Sequence, residues 1–302
     1  MTGTPVGGGA ARQPDGGQLA EAAEQGRICA LAARGQRDLQ RRAAAYPDLF
    51  PSRPFDATLF SSIALAMAFS APWCTAEELA LTNRAVLWGF AVDWQVDHLA
   101  TSRSEIDLVA KTCLAVADGA TVDDPLGRFL ADLRDDLAAD PAFAGLRGLW
   151  RDEIDRTLAA MAREWEWKTG NAPRPTLDGY LDNADNLAAT VVNVAHWIHT
   201  GSPDSHRHLP RLMTVSDEVQ RALRLVNDLG TYQRDREWGD LNAIMLVDDR
   251  AEIDRRLATQ LDHCRRLLAE LRPSCPREAD YLSRQLGFTS GFYRLTDFWG
   301  TR

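Results

Sequence analysis

The stretch Asn227-Asp228-Leu229-Gly230-Thr231-Tyr232-Gln233-Arg234-Asp235 places the oxygen-bearing side chains of Asn227, Thr231 and Asp235 at intervals of four residues. At about 3.6 residues per turn, that spacing puts all three on one helical face across two turns. Leu223, Leu225 and Val226 precede the stretch and Leu229 lies inside it, so the polar stripe shares its helix with an apolar face. A frayed helix end would also carry such residues, but the repeated spacing favours a ligand set. A second stretch, Asp93-Trp94-Gln95-Val96-Asp97, closes the apolar run Leu87 to Val92. Like charges one turn apart cost an isolated helix about 0.2–0.5 kcal/mol, and the cost rises where neighbours exclude water. Something must compensate them. Hard oxygen ligands in two such sets suit Mg²⁺, which keeps waters and shares its shell with a substrate's phosphates. Asp132 and Asp136 have the same spacing, but Arg134 and Asp135 between them mark a solvated face.

With 302 residues, 45% of them apolar, the chain is long enough to bury one large core. A net charge of −9 argues against nucleic acid as a partner and against a basic membrane-binding face. An acidic chain that binds a diphosphate needs metal to bridge the like charges. Apolar runs such as Ile63 to Phe69 are far shorter than the roughly 20 residues of a membrane span, and no signal peptide is recognisable; a cytoplasmic location is expected. Cys29, Cys74, Cys113, Cys264 and Cys275 are scattered without a Cys-x-x-Cys pair, and read as reduced core residues. Residues 1–25, rich in glycine at Gly7-Gly8-Gly9 and Gly16-Gly17, read as a disordered tail, leaving 26–302 as one domain.

Ala, Leu and Arg dominate and β-alternation is nowhere sustained, so an all-α fold is expected. Pro47, Pro51 and Pro54 separate a first helix from one over 57–67. Thr75 with Glu78 three residues on predicts a capping box, opening a helix that carries Asp93 and Asp97 near its C-terminal end. Ser102 or Ser104 caps the next helix, and Asp124-Pro125 opens another. A long helix spans 141–168, a loop 171–175, an apolar segment 176–199, the helix of the second motif 210–236, and two last helices end at Trp299.

At this point the residues resemble those of the bacterial class I terpene synthases. That family carries an aspartate-rich DDxxD motif and a second motif ND-x-x-[ST]-x-x-x-[DE], here complete as Asn227, Thr231 and Asp235, with Arg234 at the basic position and Gly239-Asp240-Leu241-Asn242 after it. The resemblance runs from about Arg37 to the C-terminus and includes Pro175-Thr176-Leu177-Asp178 and Tyr180-Leu181. Three positions depart from it. Trp94 stands for the second aspartate of the first motif; Ala184, Asp185 and Asn186 occupy the region of a diphosphate-sensing arginine; and the C-terminal Arg-Tyr pair is Phe292-Tyr293, followed by Arg294.

The resemblance implies a helical bundle of the class I terpenoid synthase type, with 176–199 broken near Leu187 to Val192. It implies a cluster of Mg²⁺, three ions in number, held by Asp93, Asp97, Asn227, Thr231 and Asp235 as the catalytic set, and a prenyl diphosphate gripped by Arg224, Arg234, Tyr293 and Arg294. Phe90, Trp94, Trp197, Phe288 and Phe292 are the expected pocket aromatics. The implied reaction is ionisation of a prenyl diphosphate and cyclisation; the irregular motifs point to the diterpene branch, with geranylgeranyl diphosphate or a bicyclic labdane-type (copalyl-like) diphosphate as substrate. A homodimer is implied by the resemblance alone. A chain-elongating prenyltransferase would carry two aspartate-rich motifs, and a non-catalytic diphosphate binder remains the reading from a different class.

Overall fold

The computed structural model describes residues 16–300. Among the described residues there are twelve α-helices and no strand: α1 (Gly16–Ala44), α2 (Ala57–Ser70), α3 (Ala76–Trp94), α4 (Arg103–Ala117), α5 (Pro125–Ala138), α6 (Phe143–Lys168), α7 (Leu177–Leu181), α8 (Ala189–Thr200), α9 (Pro203–Arg207), α10 (Leu209–Trp238), α11 (Arg250–Leu271) and α12 (Pro276–Phe292). The starts follow local chemistry. Asp56 accepts from the backbone of Thr58 and Leu59, Thr75 and Glu78 close a capping box, Ser102 does the same with Glu105, and Asp124 caps a helix whose first residue is Pro125. Each such cap stabilises its helix by about 1 kcal/mol.

Helices α3 and α8 form the centre, with Leu87, Trp88, Val92, Val194 and Trp197 almost wholly buried. Helix α3 packs on α1, α5 and α8; α10 packs on α8, α11 and α12; and α12 closes the bundle against α2. One apolar core therefore fixes the relative positions of α3 and α10.

Four features differ from the sequence reading. Helix α1 begins at Gly16, so residues 16–25, expected in the tail, are helical; Leu19-Ala20-Glu21-Ala22-Ala23-Glu24 are strong helix formers that outweigh the flanking glycines. Residues 1–15 lie outside the described region. The α3 helix does not run on as α-helix through Asp97 but widens into a π-helical turn over Gln95–Leu99, with the Ala100 amide donating to the Gln95 carbonyl at 2.8 Å. The break expected at Leu187 to Val192 lies slightly earlier, where a 3₁₀ turn over Ala184–Leu187 ends at Ala188 in the left-handed region, φ 55°. Finally, α12 stops at Phe292, and residues 293–300 turn back over the bundle end. Asp297 accepts from the Gly300 amide at 2.6 Å, a local turn that competes with helix.

Candidate active site

Those elements enclose a cavity of about 240 Å³. Its lining changes along α3, from Val86 through Gly89 and Phe90 to Asp93 and then Asp97 on the π turn, so an apolar wall gives way to an acidic one. Helix α10 repeats the gradient with Leu223, Asn227 and Asp235. Between them lie Leu187 and Ala188 of the broken segment, Met67 of α2, and Phe298 and Trp299 of the C-terminal strap. The two acidic motifs, more than a hundred residues apart in the chain, thus face one space.

On α10, Asn227, Thr231 and Asp235 stack as the spacing predicts. The Thr231 hydroxyl donates to Asp235 Oδ2 at 2.6 Å and lies 2.9 Å from the Asn227 carbonyl. Thr231 and Asp235 are 1% and 5% exposed, so the pair is shielded from bulk water. Asn242 Nδ2 donates to the same Asp235 oxygen at 2.9 Å, and Arg234 holds Asp235 Oδ1 at 3.0 Å. Asn227 Nδ2 donates to the Tyr293 hydroxyl at 2.7 Å, which turns the Asn227 amide and leaves the tyrosine proton free to be donated elsewhere.

Among the described residues, the carboxylates of Asp93 and Asp97 have no hydrogen-bond or ion-pair partner of this kind. Burial, then the charges of Asp240 and Glu164, push the Asp93 carboxyl up to about 7 against the pull of Arg234 and Lys168. Asp97 is raised well above the ordinary carboxylate range by burial and then by Asp93 itself. Desolvated carboxylates under mutual repulsion have the chemistry of a cation site. Among the described residues no three acidic, thiol or imidazole side chains converge as a ready-made cage; the oxygens stand in two banks across a gap. Lys168 joins the banks, with Nζ 2.6 Å from Asp240 Oδ1 and donating to the Asp97 carbonyl at 3.1 Å.

The expected diphosphate residues part company. Arg234 lines the cavity, stacks over Trp238 at 5.0 Å, and pairs with both Asp235 and Asp297. Tyr293 lines it too. Arg224 also reaches the wall, but its guanidinium is committed: Glu164 at 2.6 Å, the Tyr180 hydroxyl at 2.7 Å and Asp228 at 3.5 Å balance its charge inside the bundle. It therefore ties α10 to α6, at a place where the sequence reading expected a diphosphate ligand. Arg294 is exposed on the strap and absent from the wall, because α12 has already ended and the chain has turned.

Among the aromatics, only Phe90 of the five expected lines the cavity. Trp94 lies behind Trp299 (centroids 5.9 Å apart) and beside His98 (4.3 Å), so it supports the wall instead of forming it. Phe288 and Phe292 stack on each other at 5.5 Å, and Phe292 backs Phe298 at 4.8 Å. Trp197, 1% exposed, packs edge-on to Tyr281 and borders a separate small pocket with His196 and Thr200. Helix periodicity marks these residues as inward-facing without saying whether they face the cavity or the packed core.

Sequence reasoning also missed Glu164, Lys168, Asp297 and Phe298, and passed over Asp240 and Asn186 as site residues. The Arg163-Glu164-Trp165-Glu166-Trp167-Lys168 run offered a signal, since Glu164 and Lys168 lie one turn apart among tryptophans. Asn186 donates to Glu164, and its own Oδ1 is buried without a partner at the edge of the cavity.

A family model described as terpene synthase family 2, C-terminal metal binding, matches residues 84–271, a span holding both acidic motifs. The chain belongs to this family. It is 29% identical over 283 residues to the ent-pimara-9(11),15-diene synthase of Streptomyces sp. (strain KO-3988), covering 87% of this chain and 91% of the relative. Solved terpene synthases share its fold. The linalool/nerolidol synthase of Streptomyces clavuligerus, in complex with 2-fluorogeranyl diphosphate, superposes with a TM-score of 0.69 at 21% identity over 87% of this chain and 94% of that one. The 2-methylisoborneol synthase of Streptomyces coelicolor A3(2), in complex with Mg²⁺ and 2-fluoroneryl diphosphate, gives 0.67 at 16% identity over 89% and 91%. Membership makes the chain an enzyme of terpene synthesis with an all-α fold. Among the described residues no helix is long and apolar enough to cross a membrane.

Proposed function

We propose that this terpene synthase is a class I enzyme that ionises a C20 prenyl diphosphate, geranylgeranyl diphosphate, and cyclises it to a diterpene with release of diphosphate. The observation that carries the reading is the shared cavity: Asp93 and Asp97 face Asn227 and Asp235 across a space that also has an apolar and aromatic part, lined by Met67, Val86, Phe90, Val192, Phe298 and Trp299. The donor set fits Mg²⁺, as all five side chains of Asp93, Asp97, Asn227, Thr231 and Asp235 offer hard oxygen atoms, and two of them, Asp93 and Asp97, are carboxylates whose proton affinity is raised by burial and neighbouring acids. Three bound ions would act as Lewis acids on the leaving diphosphate.

The chain's own residues do the rest. Arg234 and Tyr293 present N–H and O–H donors at the acidic end, where a diphosphate would sit. Phe90, Phe298 and Trp299 line the space a hydrocarbon chain would fill, and ring quadrupoles stabilise a carbocation by about 0.5–2 kcal/mol each. Met67, Val86, Val192 and Leu223 keep water from it. Gly89 and Ala188 leave the waist of the cavity open, since a Cβ on Gly89 would already lie 3.4 Å from the Ala188 methyl.

The C20 assignment is supported by the likeness to a relative named for a pimaradiene; a bicyclic labdane-type diphosphate is the alternative C20 substrate. The test is incubation with Mg²⁺ and a panel of C10 to C20 prenyl diphosphates including both C20 forms, analysed by mass spectrometry. Cyclic C20 hydrocarbon is expected. Longer diphosphates would mean chain elongation, and no turnover of any substrate would leave a binder.

A further inference from the structure

Arg234 is clasped on two sides. Its Nη2 meets Asp235 Oδ1 at 3.0 Å and its Nη1 meets Asp297 Oδ2 at 3.1 Å, while its guanidinium lies over the Trp238 ring. The two carboxylates differ in what else they can do. Asp235 belongs to the Asn-Thr-Asp stripe, so a metal ion would compete with Arg234 for its oxygen. Asp297 is fixed from its own strap, Oδ1 accepting from the Gly300 amide at 2.6 Å, and its side chain is only 12% exposed. It is the partner that Arg234 keeps.

We propose that Asp297 is the positioning residue for Arg234: it holds the guanidinium toward the cavity when Asp235 turns to metal, and so couples grip on the diphosphate to the seating of the aromatic wall. The coupling is built into the chain order, because Asp297 is followed directly by Phe298 and Trp299, which line the same cavity. Phe298 packs on Phe90 at 5.6 Å, and Trp299 on Phe90 at 5.0 Å and Phe55 at 5.7 Å. Losing the Asp297 carboxylate would free Arg234 at one end of the strap link and these rings at the other. The inference rests on the diphosphate reading of the site.

Calorimetric binding of inorganic diphosphate in the presence of Mg²⁺ tests it without requiring turnover. Asp297→Asn is expected to raise Kd about tenfold, with Asp297→Glu recovering most of the loss, as for one charge-assisted contact. In an Arg234→Gln background the same Asp297→Asn change should alter Kd no further, since a residue acting through Arg234 has nothing left to act on. With prenyl diphosphate, Asp297→Asn should also raise the share of acyclic alcohol among the products, as water reaches the cation. Equal weakening by Asp297→Asn in both backgrounds, or none in either, would overturn the positioning role while leaving the enzyme's function intact. A wild-type chain that binds no Mg²⁺-diphosphate would instead overturn the functional reading and this inference with it.

Discussion

Gly230 lies against Tyr293 so closely that a Cβ on it would fall 2.7 Å from the Tyr293 carbonyl oxygen and 2.9 Å from the Tyr293 Cβ. The two nearest atoms, the Tyr293 carbonyl oxygen and Cβ, do not move with its rotamer, so no rotamer change can relieve the approach. It brings the start of the strap down onto α10 one residue before Thr231, and it lets the Tyr293 hydroxyl meet Asn227. Gly230→Ala is therefore expected to lift the strap, lower stability by about 1–3 kcal/mol as overpacking does, and reduce diphosphate release more than tenfold. Thermal unfolding and a diphosphate-release assay measure the two effects; an alanine variant with wild-type values in both would show that the approach is unimportant.

Asp93→Asn removes a carboxylate that burial, Asp240 and Glu164 disfavour and that makes no hydrogen bond or ion pair among the described residues. Turnover should fall at least about a hundredfold, the order seen when a group stabilising a developing charge is lost, while the melting temperature in chelator stays equal or rises. A variant that unfolds would instead mark Asp93 as a structural residue.

Lys168 bridges Asp240 and the backbone of Asp97, so it sets the distance between the two acidic banks. Lys168→Met keeps the length of the side chain and loses the charge. A charge-assisted hydrogen bond contributes about 1.5–3 kcal/mol, and kcat/KM is expected to fall roughly tenfold or more, with weaker Mg²⁺ dependence as the diagnostic. Unchanged Mg²⁺ titration curves would argue that the bridge has no part in metal binding.

Glu153 gives a pH signature away from the site. Its side chain is buried beside Arg156, with Asp217 and Asp185 near, and burial foremost pushes its carboxyl up to about 7. A folded-state value above the unfolded one means that the native state holds the proton more tightly, so this group's contribution favours folding at low pH and is lost as pH rises from about 4.5 toward 7. Glu153→Gln should flatten that part of the stability curve and raise the melting temperature at pH 8 relative to wild type. Parallel curves for the two proteins would remove Glu153 from the account.

How far the letters reached depends on the distance over which each feature acts. The Asn227, Thr231, Asp235 stripe and the Asp93, Asp97 pair were legible because one helix period determines which side chains share a face, and the capping pairs at Thr75 and Ser102 were legible for the same local reason. The partners of those groups were not. Lys168 meets Asp97 across 71 residues, and Arg224 meets Glu164 across 60, pairings that only the packed bundle creates. Trp197 and Trp299 illustrate the limit among aromatics. Both were expected near the end of a helical segment, yet one is sealed against Tyr281 and the other faces the cavity, because the strap doubles back after Phe292. Arg224 looked like an anion ligand since its counter-charges, Glu164 and Asp228, lie on α6 and one turn along α10.

The wide turn at Gln95–Leu99 bears on how the first acidic pair behaves in time. A π turn is rare and occurs mostly as a single turn, and here it sits at a helix end where winding stops and the Asp97 carbonyl accepts from an ammonium group. Amide protons of residues 96–100 should thus exchange with solvent sooner than those of Leu87 to Val92. A scaffold that is rigid up to Asp93 and pliable at Asp97 can re-aim one carboxylate by a fraction of a turn as cargo of different bulk arrives, without disturbing the buried bundle behind it.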